Sequence, residues 1–296
     1  MNLIISADWH IRSAIPKHRK DNFLLAQENK IKFILDLSKK YNAPIIIAGD
    51  IGDKPKWENW LLRKYIALFK SHPEKIYILP GQHDLPGHRL DKISQAALGV
   101  LIVSKAVVPL LKNRSIEDCF IQPFPFGQKI KPVCFAKGKI QIAIIHTLVS
   151  KSKLWKKQEN FISAKNLLKR NSYDIIISGD NHQSFIEKYK DKILINPGSL
   201  MRSSISQYNH TPICYLLTTL PEKKIEKILI PVSESKSIFD MSNLTTENKN
   251  DKRMETFVNS LDSDFEFEIK FRKNLRKFFL KNKTNKRIKN KILTAF

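Results

Sequence analysis

Residues 3–10 read LIISADWH. A short, continuous apolar run suits a strand buried on both faces, because a half-exposed strand would alternate apolar with polar residues. The run ends in Asp8 and His10, two positions apart, so both side chains leave an extended segment on one side and can reach one point. The same pattern returns in APIIIAGD (43–50), KIYILPGQHD (75–84), IQIAIIHT (140–147) and YDIIISGDNH (173–182). Each is an apolar strand tipped with Asp, His or Gly-Asp. Glycine before Asp50 lets the backbone turn sharply out of its strand.

Between these strands lie stretches with helical spacing. Residues 22–40 carry Phe23, Leu24, Ile31, Ile34, Leu35 and Leu37, and residues 57–70 carry Trp57, Leu61, Leu62, Ile66 and Phe69. Alternating strands and helices predict a layered α/β fold, β-sheets flanked by helices, with functional residues at the carboxyl ends of the strands. After INPGSL (195–200), the segments CYLLTTL (214–220) and KIEKILIPV (224–232) read as a closing pair of strands around Pro221–Glu222. The chain divides into a main domain over 1–232, a polar linker over 233–253 and a helical C-terminal extension over 254–296.

The strand tips define the chemistry. Asp8, His10, Asp50, His146, Asp180 and His182 are carboxylates and imidazoles, a mixture that suits Mn²⁺, Fe or Zn²⁺ better than Ca²⁺. Asp50 is placed to bridge two cations about 3.5–4 Å apart. His83 and Asp84 follow the third strand, and Asp53 lies just behind Asp50, where either carboxylate is placed to orient the imidazole. His18, His72, His88 and His210 lack such a context and read as surface or structural residues.

Bulk properties narrow the partners. The formal net charge is +24 with a sequence pI near 9.9, an excess that favours polyanions such as nucleic acid. Residues 270–296 hold eleven Lys or Arg and no acid, with Phe271, Leu275, Phe278 and Phe279 at helical spacing. Arg272, Lys273, Arg276 and Lys277 are the expected DNA-binding residues of that segment. No apolar run approaches the roughly 20 residues that span a bilayer, and MNLIISADWH reads as a strand rather than a leader. Cys119, Cys134 and Cys214 suggest neither a disulfide framework nor a zinc ribbon and fit a reducing cytoplasm.

The ordered series D-x-H, G-D, G-x-H-D, strand-end His and G-x-x-H resembles the calcineurin-like metallophosphoesterase superfamily over residues 1–200. The resemblance implies two divalent cations, Mn²⁺ first among Mg²⁺, Fe and Zn²⁺, held by Asp8, His10, Asp50, Gln82, His146, Asp180 and His182. It makes Asp50 the bridging ligand and His83 the catalytic acid. Two positions depart from the family pattern: Gln82 stands for asparagine and Asp180 for histidine, which leaves the second cation's affinity and identity open. Within the superfamily, the basic extension is similar to that of SbcD-type DNA repair nucleases. That likeness implies a DNA substrate and an SMC-type ATPase partner similar to SbcC; a homodimer is one of the arrangements left open. RNA or small phosphoesters as substrates, and a catalytically weakened scaffold, are the alternatives.

Overall fold

The computed structural model describes residues 1–134, 136–153 and 162–240. Most of the expected linker, the C-terminal extension and Arg272, Lys273, Arg276 and Lys277 lie outside the described residues. The compact unit runs from Met1 to Phe239. Ile238 and Phe239 are buried, so packed chain continues past Val232 into the stretch read from its polar composition as linker.

Two six-stranded sheets carry the domain. In chain order the strands are β1 (Asn2–Ser6), β2 (Ile45–Ile47), β3 (Ile76–Ile78), β4 (Val108–Pro109), β5 (Arg114–Ile116), β6 (Cys119–Phe124), β7 (Ile140–His146), the small pair β8 (Val149–Ser150) and β9 (Ile162–Ser163), then β10 (Ile175–Gly179), β11 (Phe185–Tyr189), β12 (Lys192–Asn196), β13 (Ile213–Thr218) and β14 (Lys224–Leu229). The first sheet has the order β14-β13-β1-β2-β3-β4 and the second β11-β12-β10-β7-β6-β5. Helices α1 (Phe23–Tyr41), α2 (Asn59–Lys70) and α3 (Ala97–Val103) pack on the first sheet, and α4 (Ala164–Arg170) packs on the second. A short α5 (Ser235–Ile238) closes the unit.

The period-two rule explains how one apolar run serves two layers. Leu3 and Ile5 of β1 point between the sheets, where they meet Ile142 and Ile144 of β7 and Ile175 and Ile177 of β10. Ile4 points the other way, onto Phe23, Ile31, Ile34 and Leu35 of α1. Ala143, Ile145 and Ile176 face outward from the second sheet onto Leu167 and Leu168 of α4. Each sheet is covered on both faces, hence the continuous Ile-rich runs. The helix α1 starts where the Asn22 side chain accepts the Leu25 N–H and stops at Asn42 in the left-handed conformation.

Parallel pairing aligns the strand ends. Ser6 lies beside Ile47 and Ile47 beside Ile78 in the first sheet, while Gly179 lies beside His146 in the second. The loops leaving β1, β2, β3, β7 and β10 therefore emerge along one edge of the sandwich.

Candidate metal centre

The residues Asp8, His10, Asp50, His83, His146 and His182 meet at that edge. Strand β1 ends at Ser6, and Asp8 and His10 have positive φ (50° and 46°), as do Asp50 (52°) and Asp180 (78°). The expectation that Asp8 and His10 sit on an extended segment is thus corrected: the backbone has already turned. What fixes them is Trp9 between them. It is fully buried against Phe69 with its indole N–H on Ser6 Oγ at 2.8 Å, so its neighbours are turned toward the cleft. Backbone bonds from Asp8 N–H to Gly49 O and from His10 N–H to Asp50 O, both 3.0 Å, clamp this turn to the one after β2.

Three groups place their ligand atoms within 4.8 Å of one another: Asp8, His10 and His182; Asp8, Asp50 and His146; and His10, Asp50 and His83. His146 is oriented through Nδ1, which donates to the Ala48 carbonyl at 2.7 Å and turns Nε2 toward Asp50 Oδ2 at 3.2 Å. That approach lacks hydrogen-bond alignment, so His146 Nε2 and Asp50 Oδ2 are both buried without a partner, as is Gln82 Oε1. Buried donors and acceptors are rarely left unmatched. Here the unmatched Asp50 and His146 atoms belong to one ligand group, a carboxylate and an imidazole, a pair that fits a divalent cation. The His10 and His182 Nε2 atoms lie 3.1 Å apart, a spacing that needs a proton or a cation to reconcile two lone pairs.

Electrostatics agrees. Burial pushes the Asp8 carboxyl up to about 8, with Asp50 adding to the rise, and burial pulls His10 down to about 3. For the pair at the centre, His146 and Asp50, mutual attraction overcomes burial and holds the imidazole protonated and the carboxylate charged, His146 raised and Asp50 lowered. A divalent ion supplies the positive charge that these buried groups otherwise draw from protons.

Packing around the ligands leaves no room for side chains. A Cβ at Gly49 would lie 1.9 Å from His146 Nδ1 on a backbone with φ of 102°, and one at Gly179 would lie 2.0 Å from the Ala48 carbonyl oxygen.

The two unusual residues touch each other. Gln82 Nε2 donates to Asp180 Oδ1 at 2.6 Å, and that bond directs Gln82 Oε1 away from the carboxylate. Asp180 is not in any of the three ligand groups; its backbone N–H donates to both Asp8 oxygens at 3.1 and 3.2 Å. His83 is exposed at the mouth, its backbone N–H on Asp50 Oδ1 at 2.8 Å. Its ring is oriented by neither expected carboxylate. His83 Nδ1 lies 3.0 Å from the Asp53 backbone oxygen, while the Asp53 carboxylate pairs with Arg12 at 3.1 Å. Both Asp84 oxygens are taken by the backbone N–H groups of Gly52 and Gly81, at 3.0 and 2.9 Å. Asp84 therefore splints the loop that carries His83 to the loop after Asp50.

A cavity of about 140 Å³ opens over the cluster. Beyond His10, Asp53, His83, His182 and Ser199 it is lined by Met201, Ser203 and Gln207, which carry no motif and were not expected. It shares His182 and Gln207 with a larger cavity of about 480 Å³, whose walls are mostly Ser, Asn, Gln and Thr. Of the histidines without motif context, His72 bonds Ser38 Oγ at 2.8 Å and His210 the Ser199 carbonyl at 2.8 Å.

Among the described residues no helix is long and apolar enough to cross a membrane. Cys119 and Cys214 are buried free thiols and Cys134 an exposed one.

No curated protein matches the sequence. Solved structures that it matches include a novel archaeal phosphodiesterase, at 17% identity and TM-score 0.41, with 77% of this chain and 99% of that one covered. Another is a metallophosphoesterase from Sphaerobacter thermophilus, at 11% identity and TM-score 0.40, with 79% and 90% covered. A third is Yfce, a phosphoesterase from E. coli, at 15% identity and TM-score 0.38, with 78% and 100% covered. The family model of the calcineurin-like phosphoesterase superfamily domain matches residues 1–222. With that match over most of its length and the strand-tip residues gathered in one cleft, the chain belongs to the calcineurin-like phosphoesterase superfamily.

Proposed function

We propose that this phosphoesterase is a metal-dependent DNA nuclease that hydrolyses phosphodiester bonds, working with an SMC-type ATPase as an SbcD-type subunit and forming a homodimer. The reading is supported by one combination: a carboxylate and imidazole cluster open to solvent beside His83, in a chain of net charge +24. Polymeric phosphate is the substrate that such a charge attracts, and it does so without reading bases. The ATPase partnership rests on the composition of residues 254–296 alone.

Asp8, His10, Asp50, Gln82, His146 and His182 would hold two divalent cations, Mn²⁺ by preference. When bound, these supply Lewis acidity to the phosphate and lower the pKa of water. The chain's own groups do the rest. His83 Nδ1–H donates to the Asp53 carbonyl, which orients the ring so that Nε2, in the imidazolium form, would give its proton to the leaving 3′-oxygen. The amide of His83 holds Asp50, and Asp84 keeps both loops in register.

End-labelled duplex DNA, single-stranded DNA, RNA and an aryl phosphodiester, each incubated with Mn²⁺, test the proposal. DNA should be cleaved fastest, EDTA should abolish cleavage, and His83→Ala should lower kcat by roughly 100-fold or more while sparing DNA affinity. Preference for RNA or for the aryl diester would remove DNA as the substrate. The hydrogen bond that occupies Asp180 favours a second reading, a scaffold subunit with one weak cation site. A Mn²⁺ titration with fewer than two sites and no hydrolysis supports that reading.

A further inference from the structure

Another cavity, of about 450 Å³, lies between α1 and the chain before and within α5. Its walls include Arg19, Lys30 and Arg202, and the acid among its lining residues is Asp21. All three cations are more than nine-tenths buried, with exposures of 7%, 6% and 3%. Three buried positive charges against one carboxylate is an arrangement that costs stability unless a counter-charge is supplied.

Among the described residues, bonding around the cavity does not supply it. Arg19 is matched: its Nε and Nη2 donate to the two Asp21 oxygens, each at 2.6 Å, and its Nη1 to the Arg202 carbonyl at 2.6 Å. Arg202 donates from Nη1 to Ser235 Oγ at 2.8 Å and to the Tyr208 carbonyl at 3.3 Å, and from Nη2 to the Ser233 carbonyl at 2.6 Å, all neutral acceptors, and its Nε is buried without a partner. Lys30 makes one long bond, 3.3 Å, to the Leu200 carbonyl. Burial, reinforced by Arg202 and Arg19, pulls the Lys30 amine down to about 7. A guanidinium whose Nη2 makes one bond of two, and an amine that a neighbouring anion would hold protonated, line one open cavity and match the oxygens of a phosphate.

We propose that this cavity is a binding site for a small phosphate-bearing anion, inorganic phosphate or a mononucleotide, neutralised by Lys30 and Arg202. The site is separate from the metal centre but shares a wall with it. Ser199, Met201 and Ser203 line the metal cleft, whereas Arg202 lines this cavity and the Leu200 carbonyl receives Lys30. Alternate residues of one segment thus face the two sites.

The test is isothermal titration of the full-length chain with inorganic phosphate and, separately, with AMP. Each titration is run at fixed ionic strength, with and without EDTA. Saturable binding that survives EDTA is expected, because the cations of the metal centre take no part. Lys30→Gln keeps a donor for the Leu200 carbonyl but removes the charge, and should weaken binding by roughly tenfold or more. Asn29→Glu, at an exposed position of α1 on the cavity rim, should weaken it several-fold through repulsion. If Lys30→Gln fails to fold, Asn29→Glu decides. Tighter binding of AMP than of phosphate assigns the site to nucleotides, and equal affinity assigns it to the phosphate group. Absence of saturable binding, its loss on adding EDTA, or unchanged affinity in a folded Lys30→Gln or Asn29→Glu variant would overturn the proposal.

Discussion

Replacing Gln82 and Asp180 singly and together should show that they act as one unit. Their bond is short, 2.6 Å, and has a charged acceptor, so removing one partner strands the other. A hydrogen bond to a charged group contributes about 1.5–3 kcal/mol, and because both side chains are only half-buried the low end applies, a coupling of about 1–2 kcal/mol. A second effect adds to this. Without Asp180, the amide of Gln82 is free to flip and present N–H₂ where its buried Oε1 now sits. Mn²⁺ affinity should then fall by roughly tenfold even though the Gln82 oxygen remains in the chain. The assay is a cycle of Gln82→Ala, Asp180→Ala and the double variant, read by urea unfolding without metal and by Mn²⁺ titration. A swap, Gln82→Asn with Asp180→His, completes it: the double swap should bind Mn²⁺ better than either single one. Additivity within about 0.5 kcal/mol in both readouts would refute the idea that the two departures compensate each other.

Metal uptake should release protons. Asp8, raised to about 8 by burial, and His146, raised by Asp50 and Asp8 against the pull of burial, are protonated in the metal-free protein at neutral pH and must be deprotonated to ligate. Mn²⁺ affinity should therefore climb as pH rises from about 6 to 8, by up to roughly 100-fold per unit, and a flat profile would contradict the assignment. Gly49→Ala places a Cβ 1.9 Å from His146 Nδ1 on left-handed backbone; the ring must leave the Ala48 carbonyl. The cost is about 3 kcal/mol, a fall in Tm of about 6–12 °C by calorimetry, and an unchanged Tm would show the loop can yield. Asp84→Asn sets an N–H₂ against a backbone N–H of Gly52 or Gly81, so the urea midpoint should fall, by about 2–3 kcal/mol in stability. A neutral effect there would return Asp84 to a direct role at His83.

The elements legible in the sequence were those whose two faces are both buried. Strands β1, β2, β3, β7 and β10 advertise themselves because each holds an unbroken run of three or more apolar or aromatic residues, and α1 and α2 because their apolar stripes face the same sheet. Strand β6 hid behind Gln122 and Pro123, and β11 and β12 behind Glu187, Lys188 and Lys192 on a partly solvated edge. Which strands share a sheet was hidden too, since nothing local says that β13 pairs antiparallel with β1 while β7 joins β6 and β10 in the other layer. The candidate ligands could be located because they sit at strand tips. Their partners could not: Gln82 and Asp180 are far apart in sequence, and the group orienting His83 is a backbone carbonyl, which carries no residue signature. Lys30 looked like one of many surface lysines until α1 turned it inward.

The left-handed backbone at Asp8, His10, Asp50 and Asp180 bears on how this chain would drift. Each such residue gives up about 1 kcal/mol that glycine would return. Glycine there would relieve the backbone but strip the acceptor from the Gln82 amide at Asp180, from the His83 amide at Asp50 and from the Asp180 amide at Asp8. The strain and the bonds are therefore held together: the chain cannot shed one without losing the other.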